Sequence, residues 1–94
     1  MRELQELRKE LDEVDRGIVA LFEARMAIAQ EVAEYKLAHD MPVLDRAREE
    51  AVLASREAML LNPAWGESIR ALYTQIMALS RAAQEECIRE AQKR

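Results

Sequence analysis

The stretch LQELRKELDEVDRGIVALFEARMAIAQEVAEYK, from Leu4 to Lys36, decides the fold. Leu4, Leu7, Leu11, Val14, Ile18, Leu21, Arg25, Ile28, Val32 and Tyr35 follow one another by alternating steps of three and four. That spacing marks the buried stripe of one long helix. Every member is apolar or aromatic except Arg25, and Lys36 stands beside the last. A guanidinium in a leucine position, with an ammonium three turns further on, is the first sign that the helix does more than pack.

Outward from this stretch the chain reads as all-α. Pro42 stops the first helix, expected from about Arg2 to about His39. Asp45 stands where an N-cap belongs, and RAREEAVLASREAMLL, residues 46–61, forms a second, short helix. Asn62 and Pro63 read as an N-cap with proline at the first helical position, opening a third helix of medium length that runs nearly to the C-terminus. No sustained period-two alternation suggests a strand. There is no internal repeat or linker, so the 94 residues are read as a single domain spanning 1–94.

A first helix of about 37 residues is roughly 55 Å long at ~1.5 Å per residue. A compact chain of this size has a radius of gyration near 12 Å. Two shorter helices cannot cover such a stripe, so the sequence predicts an intertwined helical homodimer whose long helices pack together.

Composition narrows the function. A net charge of −4 argues against nucleic acid, which requires a clustered basic face. The basic residues are mostly interleaved with acids at helical spacings, as on a solvated surface. No apolar run approaches the ~20 residues of a membrane span, and the charged start MRELQELRKELDEVD does not read as a signal peptide. With one cysteine there is neither a disulfide nor a metal-ligand pair, so a cytoplasmic location is expected.

Polar residues interrupt the inner faces. On the third helix the inner row reads Ile69, Leu72/Tyr73, Ile76/Met77, Ser80, Gln84, Cys87/Ile88, with Ser80 and Gln84 one turn apart. On the second, Arg48 and Glu49 each lie one turn before an apolar residue, Val52 and Leu53. On the first, Arg25 and Lys36 point the same way about 16 Å apart, over Ile28, Ala29 and Val32. Arg8 is rotated by roughly 100° from Arg25 and cannot easily share their site within one protomer, but it could share the site of a partner subunit.

Each residue also has a plainer reading. One arginine on an apolar stripe often snorkels or pairs with a glutamate. A lone buried Gln84 can set helix register. Arg48 and Glu49 fit a surface, Asp45 a simple cap, and His39 a helix C-terminus. Trp65, the methionines and Cys87 read as packing. Taken together, however, Arg8, Arg25, Lys36 and Arg48 exceed what Glu49 and Asp45 can balance, and burying unmatched cations costs several kcal/mol each. A ligand carrying two carboxylates would balance them.

With LRKELDEVDRGIVALFEARMAIAQEVAEYK, PVLDRAREE and LYTQIMALSRAAQ, the sequence resembles the all-helical (AroQ-type) chorismate mutases over essentially its whole length. The resemblance implies an intertwined dimer of three-helix chains, with a site in each half built mainly by one protomer. It implies that Arg25 binds one carboxylate of chorismate and Arg8, from across the homodimer interface, the other end of the dianion. Lys36 would reach a carboxylate and the ether oxygen of the breaking bond, and Gln84 would donate to that oxygen from the opposite side. Glu49, with the backbone of Asp45, would hold the ring hydroxyl. Arg48 and Ser80 would complete the polar wall, while Val32 and Met77 offer apolar surface to the ring. Relatives with glutamate in place of Gln84 need it protonated; an amide donates at any ordinary pH.

The rearrangement of chorismate to prephenate is pericyclic and needs no cofactor or metal. An isochorismate pyruvate lyase on the same fold is the nearest alternative, and a non-catalytic helical dimer or regulatory subunit the alternative from another class. Docking on another enzyme of the same aromatic pathway is compatible with these residues.

Overall fold

The computed structural model describes residues Met1–Arg94. It contains three α-helices and no strand: α1 Leu4–Ala38, α2 Arg46–Ala58 and α3 Gly66–Gln92, with a 3₁₀ turn Pro63–Trp65 leading into α3.

The first helix ends before Pro42. His39 is its C-cap, and Asp40 turns into the left-handed region with φ 54°. The Met41 N–H then donates to the Lys36 carbonyl at 2.8 Å and the Asp40 N–H to that of Leu37 at 3.4 Å. This is the Schellman pattern, here with aspartate where glycine is usual. The His39 ring stacks on Tyr35, centroids 3.9 Å apart, and remains exposed.

Asp45 caps α2, its Oδ1 accepting from the Arg48 N–H at 3.0 Å. The helix ends at Ala58 rather than Leu61, because Met59 and Leu60 donate back only three residues, to Arg56 and Glu57. Nor does α3 begin at Pro63 as expected. Asn62 Oδ1 accepts from the Ala64 N–H and the Asn62 carbonyl from Trp65, which tightens the first turn to 3₁₀. Gly66 follows at a close approach of α2 and α3: a Cβ there would stand 2.8 Å from Glu57 Oε2. Glu57 is in turn ion-paired to Arg70.

α3 packs against both α1 and α2. The buried set is small: Ala29 and Ala33 on α1, Val52 on α2, and Gly66, Met77, Ser80 and Gln84 on α3. Two alanines one turn apart let α1 and α3 approach closely.

The stripe that the two shorter helices are not expected to cover lies on an open face of this chain. Leu11, Val14 and Ile18 are each 59% exposed and Leu21 is 72% exposed. The N-terminal half of α1 projects beyond the packed half, giving extents of 57 × 28 × 14 Å and a radius of gyration of 16.9 Å. A compact chain of this length would measure about 12 Å.

Candidate active site

The packed half forms an open cavity of about 380 Å³ between the three helices. From α1 come Arg25, Ile28, Ala29, Val32 and Lys36, and from the following loop Val43. α2 supplies Asp45, Arg48, Glu49, Val52 and Arg56, and α3 supplies Met77, Ser80, Arg81 and Gln84. The fold thus brings together nine of the ten residues singled out from sequence. The tenth, Arg8, is exposed on the projecting half of α1 and does not line the cavity of its own chain.

The local chemistry of each wall differs. Lys36 Nζ donates to the Val43 carbonyl at 2.7 Å, so the loop after α1 holds the ammonium at the cavity and leaves two N–H bonds for other acceptors. Asp45 spends one carboxylate oxygen on its helix N-terminus. Arg48 sits exposed at the rim. Arg25 and Arg56 both approach the Tyr73 ring, at 5.9 and 5.8 Å from its centroid. That is within cation–π range.

Deeper in, Ser80 and Gln84 are 8% and 7% exposed. Gln84 Nε2 lies 3.1 Å from Ser80 Oγ, while Gln84 Oε1 has no partner. A buried acceptor left unpaired costs on the order of 1–3 kcal/mol. A half-turn of the amide lets the Ser80 hydroxyl donate to Oε1 and turns the NH₂ group to the cavity.

Glu49 is held across the helix gap: Arg81 Nη1 on α3 stands 2.5 Å from both Oε1 and Oε2. Sequence reasoning missed Arg81, Arg56 and Val43. A signal for the two arginines was present, since Arg81 stands one turn after Met77 and Arg56 one turn after Val52.

Five cations therefore face two carboxylates. One carboxylate is neutralised by Arg81 and the other caps a helix. Arg25, Lys36, Arg48 and Arg56 form no ion pair within the chain. Such a cavity attracts anions, and the apolar surface of Val32, Val52 and Met77 among the charges suits a ring. Away from it, on an exposed face of α3, the hydrogen bond and charge of Arg89 hold the Glu86 carboxyl below its ordinary range; the same contact raises Arg89.

Two relatives bear on this geometry. The T-protein of Haemophilus influenzae is 36% identical over 56 residues, which is 60% of this chain and 15% of that protein. The chain thus spans a small part of that relative's length. A solved structure of a conserved hypothetical protein from Pyrococcus furiosus superposes with a TM-score of 0.72 at 33% identity, covering 86% of this chain and 93% of the other. Residues 7–85, from the projecting end of α1 through the Gln84 turn of α3, match the family model described as chorismate mutase type II, and the chain belongs to that family.

Proposed function

We propose that the cavity binds chorismate and rearranges it to prephenate, with residues 1–94 forming one mutase domain. The observation that carries this reading is the convergence of Arg25, Lys36 and Arg48, none ion-paired, with the buried Ser80–Gln84 pair on one cavity. Chorismate is a dianion with a ring hydroxyl and an ether oxygen, and the cavity offers a partner for each group.

In this reading Arg25 takes one carboxylate and Arg48 closes the rim. Lys36, steadied by the Val43 carbonyl, reaches a carboxylate and the ether oxygen, and the Gln84 amide, steadied by Ser80, donates to that oxygen from the opposite side. Glu49, with the Asp45 backbone beside it, accepts the ring hydroxyl. Val32 and Met77 flank the ring. The ether C–O bond breaks as the new C–C bond forms within the same molecule, and no proton is transferred. The protein contributes a reactive conformer and donors placed where charge grows on the ether oxygen.

The reading also takes the chain to be a homodimer. The uncovered stripe from Leu4 to Leu21 supports it, since an apolar face of that length is expected to be buried against a like helix. Arg8 lies on the same projecting half and does not line its own chain's cavity, which supports reading it as a contribution to the partner's.

The test is product identification with chorismate and isochorismate run side by side, on the wild type and on Lys36→Ala. Prephenate from chorismate, nearly abolished in Lys36→Ala while helix content and mass are kept, is the expected result. Pyruvate release from isochorismate alone, or activity surviving in Lys36→Ala, overturns the assignment.

A further inference from the structure

Arg81 is the one cation of the cavity that is already ion-paired, and the mutase reading gives it no contact with substrate. We propose that Arg81 is a positioning residue: it fixes the Glu49 carboxylate toward the cavity as the acceptor for the ring hydroxyl. The inference rests on the mutase reading and extends it to a residue outside the expected set.

The geometry gives Glu49 two places to go. The wall that carries Glu49, Met77 and Arg81 separates the main cavity from a second one of about 300 Å³ on the other side, which Arg46 also lines. Arg46 forms no ion pair. Unheld, a carboxylate on the first turns of α2 would be shared between Arg46 on the second side and the unpaired cations of the first, with no fixed direction toward a ring hydroxyl. Arg81 prevents this from a different helix, its Nη1 donating to both oxygens at 2.5 Å. Both side chains are partly shielded, 31% and 25% exposed, so solvent screens the pair less than it would a surface bridge.

The pairing still leaves Glu49 usable. A carboxylate has about four lone-pair sites, and Arg81 occupies one on each oxygen. That leaves a lone-pair site on each oxygen for a hydroxyl. Neutralised by Arg81, the carboxylate also repels an incoming dianion less than a lone glutamate would.

The plainer role for such a bridge is to dock α2 on α3, which would move stability and leave substrate affinity alone. The contact to a ring hydroxyl exists in the ground state as well as in the transition state. Its loss therefore appears in KM more than in kcat.

The experiment compares wild type with Arg81→Met and Arg81→Lys. It measures kcat and KM for chorismate, the inhibition constant of a ring dicarboxylate lacking the hydroxyl, and the melting temperature. Arg81→Met should raise KM on the order of tenfold with kcat little changed. Arg81→Lys should recover most of that, and the hydroxyl-free inhibitor should lose clearly less affinity. In a Glu49→Gln background, Arg81→Met should add little.

Three results would overturn the proposal: a KM unchanged in Arg81→Met, an equal loss for both ligands, or losses from the two positions that simply add. If wild-type protein neither binds nor converts chorismate, the underlying mutase reading fails and this inference with it. A wild type that converts chorismate beside an indifferent Arg81→Met refutes only the positioning role.

Discussion

Changing Gln84 to glutamate keeps the shape of the side chain and alters its ability to donate and, when ionised, its charge. Gln84 is 7% exposed, bonded to Ser80 and otherwise facing the cavity. As an ionised glutamate it would accept from the Ser80 hydroxyl and present a second bare oxygen to the ligand, with no N–H to offer. Loss of one preorganised donor to a developing oxyanion costs about 3–4 kcal/mol, or roughly 10²–10³ in rate. A negative charge facing a dianion adds to that loss. Protonation restores an O–H donor, so the variant's activity should rise as pH falls. Burial favours the neutral acid and the cavity cations disfavour it, and where the rise levels off reports which effect wins. The wild-type amide does not titrate and should show no such rise between about pH 8 and about pH 5.

The assay is kcat/KM for chorismate across that range on both proteins, with circular dichroism at each pH to confirm folding. Wild-type activity at neutral pH in Gln84→Glu, or parallel profiles for the two proteins, would remove Gln84 from the reaction. A clear acidic optimum in the wild type would do the same.

Three further changes probe the scaffold. Val14→Asp places a charge on the uncovered stripe and should lower the sedimenting mass from dimer to monomer or unfold the chain; an unaltered dimer would contradict the proposed interface. Ala33→Leu overfills the contact of α1 with α3, where Ala33 is fully buried, and should cost about 1–3 kcal/mol by urea unfolding; unchanged stability would mean that the helices do not approach so closely. Asp40→Gly relieves a side chain held at φ 54° and should stabilise by up to about 1 kcal/mol, with a lower urea midpoint counting against the Schellman turn.

The three-helix order was legible because leucine and isoleucine at alternating steps of three and four have one helical explanation, and because Asp45 and Asn62 are strong caps. Arg25, Lys36, Ser80 and Gln84 stood out as polar interruptions of apolar rows, and such interruptions are visible without a structure. What stayed hidden follows from what side chains do not encode singly. Alanine reads the same on a buried face as on an exposed one, so Ala29 and Ala33 did not announce the in-chain contact. Asp40 looked like any loop aspartate until its φ was seen, and the turn it makes ends α1 before Pro42. Arg81 and Arg56 resemble solvated surface charges along their own helices. The partners that give them meaning, Glu49 and Tyr73, lie on other helices.

The central claim is that this cavity turns chorismate into prephenate. The most direct test is the loss of chorismate absorbance with purified protein at neutral pH, prephenate being identified as the product, and Arg25→Met run alongside. Rapid conversion by the wild type and severe loss in the variant are expected, because Arg25 is a half-buried, unpaired cation on the cavity and is proposed to take a substrate carboxylate. A well-folded wild type that leaves chorismate unchanged, or an Arg25→Met variant as fast as its parent, would contradict it.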